Sequence, residues 1–410
     1  MAQTILYIIL AVFVWEFLLT KVLAYLNNKN MSDTLPKEAK WIYDAKKYEK
    51  SQQYSRANYR FGLISSIPSF IVVLLLLMCG GFGWLDSYVR TMFESEMTIT
   101  LVFFAILFVI QTLVSIPFSY YQTFVIEDKY GFNKMTKKIF WLDAVKSLLV
   151  SVFLGGLLIT LIVWMYNWLW ERFWLYAWGL LTFVSVFFMM FYSSLIVPIF
   201  NKQTPLEDGR LKKAIEKFAE KVWFKLDNIY VIDGSKRSTK ANAYFSWFGP
   251  KKRIVLYDTL INDLATKELV AVLAHEIGHY KKKHTLQMLA FSVAQTGFML
   301  YVLSLALGNP DFSLALGAEA PSFHMGIIAF GIVFAPISII LSLLGNIMSR
   351  KNEYEADAYA KEHNDSKALA KALKKLSVNN LSNLTPHPAY EFFYYSHPAV
   401  LKRLKALWEK

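Results

Sequence analysis

Long apolar runs alternate with polar connections along this chain. Seven of the runs are long enough to cross a hydrocarbon layer of about 30 Å, which takes about 20 helical residues. We expect each run to form a membrane helix, including the first, which is too long for a cleaved signal and follows no basic stretch. The runs cover approximately residues 4–26, 61–82, 99–118, 144–168, 173–200, 285–307 and 325–348.

Two polar stretches interrupt this pattern. The first begins with a helical pattern and continues with three strand-like runs, at residues 228–232, 241–247 and 253–257. No proline interrupts residues 266–283, where apolar residues recur at helical spacing. We expect that helix to leave a small sheet and to run into the sixth membrane helix.

The predicted fold class is an all-α membrane protein of seven transmembrane helices, with a polar α+β domain that carries a small sheet. Its expected parts are membrane helices one to five (residues 1–200), the α+β domain (201–284), membrane helices six and seven (285–348) and C-terminal helices (349–410).

Composition agrees with a membrane protein. The chain is 55% hydrophobic and 16% aromatic, which exceeds the content of ordinary soluble domains. Its one cysteine, Cys79, lies in an apolar stretch, so a disulfide framework is excluded and no nearby group would stabilise a thiolate.

Positive charge indicates the orientation of the chain. Lysine and arginine are concentrated after the first, third, fifth and seventh runs, whereas the alternate connections hold only Arg90 and Arg172. The positive-inside rule then predicts an outside N-terminus, with the C-terminus and both polar stretches on the cytoplasmic side. The net charge of +13 is therefore interpreted as a topology signal that attracts anionic membrane lipids, and nothing indicates a nucleic-acid partner.

The most specific chemical motif is His275-Glu276-Ile277-Gly278-His279. Residues four apart share a helix face, so His275 and His279 can bind one Zn²⁺ while Glu276 lies beside a water that it can deprotonate. Catalytic zinc usually takes three protein ligands and lowers the pKa of a water to roughly 7. The motif predicts a zinc peptidase with one Zn²⁺ per chain and a third ligand elsewhere.

The third ligand is expected just after the seventh run. There Glu353 and Asp357 are four residues apart and share a helix face, whereas Glu355 points elsewhere. We predict that Glu353 binds zinc and that Asp357 accepts a hydrogen bond from a ligand imidazole. Without the histidines, a solvated acidic helix face would be the better interpretation.

Polar residues within the apolar runs have two explanations. Glu16, Lys21, Gln287 and Gln295 would be costly against lipid, but they could face a water-filled cavity or hydrogen-bond between helices.

With these residues in view, the chain resembles the type I CAAX prenyl endopeptidases, integral-membrane zinc proteases of the gluzincin class. The resemblance covers nearly the whole chain and rests on several motifs in order: residues 124–133, 198–202 with 204–206, 242–245, 275–279, 349–357, and 396–398 with Arg403.

The resemblance implies removal of the last three residues from proteins with a prenylated C-terminal cysteine, in a chamber enclosed by the seven helices. It implies zinc ligands His275, His279 and Glu353, with Glu276 as general base. Asn242 would lie beside an edge strand that binds the substrate peptide, and His397 would donate to the developing oxyanion. Binding of the substrate's terminal carboxylate would fall to Arg403.

The other histidines are interpreted structurally. His284, with the lysines at 281–283, suits a helix C-terminus near the membrane surface. His363 and His387 also have structural interpretations, and His324 is expected on the opposite side of the membrane from the zinc motif.

Several alternatives stay open. Asn352 and Glu355 stand where the family often has an aromatic residue and a glutamine, and residues 408–410 lack a dilysine retrieval signal. Both a bacterial inner membrane and the endoplasmic reticulum are therefore considered. A quality-control zinc protease of the bacterial heat-shock type, acting on unprenylated membrane proteins, is the alternative enzyme. A transporter or receptor with a closed structural zinc site is the alternative from another class. We expect a monomer whose substrate is a lipid-modified or membrane-associated peptide.

Overall fold

The computed structural model describes residues 1–246 and 252–408. Within them the helices are α1 (Ala2–Lys29), α2 (Ala45–Met78), α3 (Gly81–Arg90), α4 (Glu96–Tyr121), α5 (Lys137–Leu169), α6 (Phe173–Leu195), α7 (Val197–Phe200), α8 (Arg210–Lys221), α9 (Asp258–Asp263), α10 (Thr266–Lys281), α11 (His284–Leu307), α12 (Asp311–Ala315), α13 (Phe323–Val333), α14 (Ala335–His363), α15 (Ser366–Asn379), α16 (Pro388–Tyr394) and α17 (Val400–Trp408). The strands are β1 (Gln203–Pro205), β2 (Asn228–Ile232), β3 (Ala243–Ser246) and β4 (Arg253–Tyr257).

The long apolar helices pack in succession around a ring. Helix α1 contacts α2, which contacts the helical segment 122–127 that extends α4. The ring continues from α4 through α5, α6 and α11 to α13 and α14, and both of these pack back against α1.

The helices of this ring bury little of their surface within the protein. Only 6% of the most apolar window of α1, and the same share of α2, is buried inside the protein. The chain exposes 21882 Å², whereas a compact globular protein of 47.3 kDa exposes about 16,000 Å². Such low burial agrees with helices that face lipid, and the chamber expected from the sequence stays a prediction.

Length and composition identify five helical stretches in the described chain that could cross a membrane, and up to six if the bent pair α13–α14 forms one span. One of the five, Lys137–Phe200, contains both α5 and α6. An integral membrane protein is therefore supported, while the count of seven spans stays a prediction.

The sequence predicts one helix for the seventh apolar run, but the run is divided between α13 and α14. It bends by 58° between α13 and α14. Pro336 lies in the first turn of α14 and has no N–H to continue the hydrogen-bond ladder of α13, which explains the break. Beyond the bend, α14 runs uninterrupted to His363, past the domain boundary expected at residue 348.

The polar half contains a mixed sheet with strand order β1-β2-β4-β3. Strands β2 and β4 are parallel, while β1 and β3 pair antiparallel with them. The sequence did not predict β1, which has three residues and ends at a proline. Strand β3 begins at Ala243 rather than at residue 241, and Trp247 of the predicted strand lies outside the described residues. Helix α10 packs between α8, α14 and α15 and shares an apolar core with the sheet.

Candidate active site

Helix α10 carries the zinc motif and is anchored at its start by Glu268. The side chain of Glu268 is 2% exposed and accepts hydrogen bonds from the backbone N–H of Ala265 at 2.8 Å and from Lys375 Nζ at 2.7 Å. Burial raises the pKa of Glu268, but these donors outweigh it and lower the pKa overall. The buried carboxylate therefore fixes the first turn of the helix.

The two motif histidines and Glu353 converge between α10 and α14. The Nε2 atoms of His275 and His279 are 3.1 Å apart. Glu353 Oε2 lies 3.5 Å from His275 Nε2, and Glu353 Oε1 lies 3.2 Å from His279 Nε2. The three groups expected to bind zinc are thus neighbours, although Glu353 lies more than 70 positions after the histidines in the chain.

A close approach of the two helices brings these groups together. A Cβ atom added at Gly278 would lie 3.1 Å from the Cα of Ala356 and 3.1 Å from the Cβ of Tyr359. A side chain there would be crowded and its neighbours would have to shift by a few tenths of an ångström, so Gly278 permits the close approach of α10 and α14 at the level of the site.

The geometry of the three groups fits a zinc ion. Four ligands 2.0–2.2 Å from a tetrahedral metal are roughly 3.3–3.6 Å apart, close to the 3.1, 3.5 and 3.2 Å separations here. The Oε2 atom of Glu353 is buried and has no hydrogen bond of acceptable geometry within the described chain. A carboxylate oxygen left in that state is suited to a cation. His275, His279 and Glu353 are also the group of metal-binding side chains found among the described residues.

Asp357 and Arg403 support His275 from behind. Asp357 Oδ1 lies 2.8 Å from His275 Nδ1, which leaves the lone pair of Nε2 for a metal. Burial opposes charge on the His275 ring, but hydrogen bonds to Asp357 and Glu353 raise the pKa of this histidine to about 9. In the absence of a cation, the cluster therefore retains a proton at neutral pH.

The guanidinium of Arg403 is already occupied. Its Nε and Nη2 atoms donate to the two oxygens of Asp357 at 2.8 and 2.7 Å, and Nη1 lies 2.9 Å from Glu353 Oε2. The residue is 7% exposed, so a substrate carboxylate would have to compete with two buried ones. The substrate-binding role of Arg403 stays a prediction, and its contacts favour a role in positioning.

The sequence analysis missed the role of His284. We had placed it at the C-terminus of a helix near the membrane surface, but it is the first residue of α11 and is 2% exposed. Its Nδ1 atom lies 3.0 Å from His279 Nδ1, and its Nε2 atom lies 3.1 Å from Glu355 Oε2. This hydrogen-bond chain assigns the protons: His284 donates to Glu355, His279 donates to His284, and the Nε2 lone pair of His279 faces the metal position.

A break between α10 and α11 turns His284 toward the site. Helix α10 ends at Lys281, and Lys283 adopts a left-handed backbone with φ of 59°. The predicted continuous helix through residue 283 is therefore wrong. The three histidines within ten positions were the sequence signal that could have identified this residue.

Glu276 and His397 lie on the open side of the cluster. Glu276 has no side-chain hydrogen bond or ion pair with another described residue, and burial raises the pKa of its carboxyl. The ring of His397 is 64% exposed and places Nδ1 3.0 Å from Glu353 Oε1, so its Nε2 atom is available to a substrate. Glu276 and His397 are therefore available to contact a substrate peptide, whereas His275 and Glu353 are buried.

Asn242 lies apart from the zinc cluster, immediately before β3. Its side-chain oxygen accepts from the N–H of Ala243 at 2.8 Å, and its carbonyl accepts from the N–H of Tyr257 at 3.2 Å. Strand β3 pairs with β4 on one side only within the described residues, so it is an edge strand. An extended peptide can add to such an edge.

The remaining histidines belong to other networks. His324 is fully buried, 2.8 Å from Asp86, and is remote from the motif in the ring. The ring of His363 stacks on Tyr359, and His387 caps the start of α16.

Comparison with known proteins agrees with this geometry. Residues 24–202 match the family described as the CAAX prenyl protease N-terminal domain with five membrane helices, and residues 205–410 match peptidase family M48. The CAAX prenyl protease 1 of Saccharomyces cerevisiae is 35% identical and aligns with 96% of this chain and 92% of that protein. The CAAX prenyl protease 1 homolog of Homo sapiens is 32% identical over 91% of this chain and 88% of that protein.

The fold has a close counterpart as well. The crystal structure of S. mikatae Ste24p superposes with a TM-score of 0.93 at 34% identity, and each chain covers 99% of the other. The matched families and relatives extend over the membrane helices and the zinc motif alike. The chain is a metallopeptidase and belongs to peptidase family M48, among its CAAX prenyl proteases.

Proposed function

We propose that this protein is a zinc endopeptidase that removes the last three residues from proteins with a prenylated C-terminal cysteine. The observation that carries the proposal is the cluster of His275, His279 and Glu353, with Glu276 next to His275 on the same helix, in a chain that also carries long apolar membrane helices. The names of its relatives support the prenylated substrate.

His275, His279 and Glu353 would hold the metal. A Zn²⁺ bound there would supply a Lewis acid for the scissile carbonyl and lower the pKa of a water to roughly 7. Asp357 and Arg403 hold His275, and His284 with Glu355 holds His279, so both imidazoles keep one orientation.

Glu276 would act as general base and then as general acid. Its raised pKa suits a carboxylate that accepts a proton from the attacking water and returns it to the leaving amine. His397 would donate from Nε2 to the oxyanion, while its Nδ1 faces Glu353. The peptide would lie along β3 with Asn242 at its side.

The setting follows from the same features. We propose seven membrane spans around a water-filled chamber, a cytoplasmic zinc site and a monomeric enzyme in contact with membrane lipids. The basic connections support the orientation, and the low burial of the membrane helices supports the chamber.

The decisive test is Glu276→Gln, which keeps the shape of the side chain and removes the base. We expect kcat on a farnesylated CAAX peptide to fall by about 10³-fold, with bound zinc unchanged because Glu276 is not a ligand. Glu362→Gln, at a side chain 78% exposed on α14, is the control. Undiminished cleavage would remove the mechanism, and equal rates on an unprenylated peptide would favour the quality-control alternative.

A further inference from the structure

A second polar cavity, separate from the zinc cluster, lies where α5, α6 and α7 meet the sheet. It has a volume of about 600 Å³, within the range of small-molecule sites. Four cations from four parts of the chain line it: Lys146 on α5, Lys202 before β1, Lys236 after β2 and Arg253 at the start of β4. No zinc-binding residue contributes to its wall.

The protein neutralises the positive charge of this cavity only in part, since four cations face one carboxylate. The one acidic residue in its wall, Asp233, accepts from Asn201 Nδ2 and from the backbone N–H of Lys202, both at 2.9 Å. None of the four cations forms an ion pair within the described part of the chain. Like charges around one cavity repel each other unless an anion lies between them.

The cavity opens at the end of the membrane helices. Lys146 Nζ donates to the carbonyl of Ile199 at 2.8 Å, which ties α5 to the short helix after α6. Leu149, three residues after Lys146 on α5, is 64% exposed, and Leu195, next to the lining residue Ser194 on α6, is 49% exposed. A ligand with its anionic group in the cavity therefore meets apolar helix surface immediately next to it.

We propose that this cavity binds the phosphate-containing headgroup of an anionic phospholipid, whose acyl chains lie along α5 and α6. Lysine and arginine between the ends of membrane helices are suited to such headgroups. The shared chemistry is a phosphate oxyanion, and the adjacent apolar surface favours a lipid over free phosphate as its source.

The bound lipid would join the sheet to the membrane ring. Arg253 and Tyr230 belong to the sheet, with the guanidinium 5.4 Å from the ring centroid, whereas Lys146 belongs to the ring. A ligand that contacts both parts only in the folded protein raises its melting temperature, and the rise grows with the logarithm of ligand concentration over Kd.

The experiment is a titration of the purified full-length protein in detergent with dioctanoyl phosphatidylglycerol, followed by tryptophan fluorescence on heating. Parallel titrations use dioctanoyl phosphatidylcholine and inorganic phosphate. The test variant is Lys202→Gln with Lys236→Gln, since both side chains are exposed and neither makes a side-chain hydrogen bond. The matched control is Lys213→Gln with Lys217→Gln, two exposed residues on α8 outside the cavity.

Phosphatidylglycerol is expected to raise the Tm of wild type and control equally. The test variant should bind it about thirty-fold more weakly, as the loss of two lysine contacts predicts. The proposed site would be wrong if phosphatidylcholine raised the Tm equally. It would also be wrong if the test variant bound phosphatidylglycerol as tightly as wild type. An equal rise with inorganic phosphate would overturn the lipid as ligand. Peptidase activity reports whether the double variant folds. If the double variant does not fold, Lys236→Gln alone replaces it, with an expected loss of about fivefold in affinity for phosphatidylglycerol.

Discussion

The membrane ring and the zinc-bearing half of the molecule bury their side chains to very different degrees. In α2, 6% of the most apolar window is buried within the protein. In α10, eight of 16 residues are buried, and two of them are the charged or polar groups Glu268 and His275. The first region buries few of its side chains within the protein, whereas the second is packed so closely that a methyl group at Gly278 would crowd its neighbours.

This difference in packing shows which side chains must be positioned accurately. Zinc ligands must be placed within a few tenths of an ångström, which close packing and a connected hydrogen-bond network can achieve. The membrane ring has no such requirement, because lipid and water can adapt to its surfaces. Equivalent substitutions should therefore have large effects near α10 and small effects in the ring, and the following experiments test that contrast.

The largest effect is expected at the third ligand. Glu353→Gln replaces a buried carboxylate by a neutral amide that binds zinc poorly, so bound metal should fall well below one per chain and activity by 10³-fold or more, as an order of magnitude. Glu16→Gln makes the same chemical change on α1 in the membrane ring, and it should alter neither the bound metal nor the activity. Metal analysis and peptide cleavage measure both, and full zinc content in Glu353→Gln would exclude this residue as a ligand.

The next effect concerns the support of His279. His284→Ala removes the partner that fixes the tautomer of His279, and we expect zinc affinity to fall by about 10–100-fold. Glu355→Gln keeps a hydrogen-bond acceptor for His284 and should cost much less. Competition with a chelator measures the affinities, and equal losses in both variants would contradict the proton assignment along this chain.

A smaller effect is expected from packing alone. Gly278→Ala forces a methyl group against α14, which should lower stability by about 1–2 kcal/mol and weaken zinc binding by separating Glu353 from the histidines. Gly155→Ala on α5 meets no atom within 4 Å and should be neutral or slightly stabilising. Thermal melting with and without chelator distinguishes them, and equal melting curves would refute the contrast.

The smallest effect is a change in pH dependence. The folded-state pKa of Glu268 is lowered, so this carboxylate contributes stability above its unfolded pKa of about 4.3, and the contribution is lost as the pH falls below that value. Glu268→Gln should cost about 1 kcal/mol at pH 7 and nearly nothing at pH 3. Melting of wild type, this variant and the exposed control Glu216→Gln at both pH values tests it. An equal loss at both pH values would show that shape, and not charge, matters at Glu268.

Periodicity and motif spacing predicted much of this arrangement. The apolar runs predicted the membrane helices, and the spacing of His275, His279, Glu353 and Asp357 predicted which side chains could converge. The conformation of Lys283 was not predictable, because a left-handed lysine has no local sequence signal. The histidine spacing marked His284, but its contact with His279 therefore required the fold. Pro336 marked the place of the bend before α14, whereas the angle of 58° did not follow from the sequence. The ion pairs of Arg403 with Asp357 and Glu353 could not be predicted either, since these partners lie 46 and 50 positions away in the sequence.

The bend before α14 has a mechanical consequence. Glu353 lies 18 residues after Ala335 on one continuous helix, a rise of roughly 27 Å. A tilt of one degree about the bend would move its carboxylate by about 0.5 Å, which equals the tolerance of a catalytic arrangement. Because membrane helices change their tilt to match the thickness of the bilayer, the position of a zinc ligand is coupled to that thickness. The enzyme should therefore work fastest in bilayers of one particular thickness and more slowly in thinner or thicker ones.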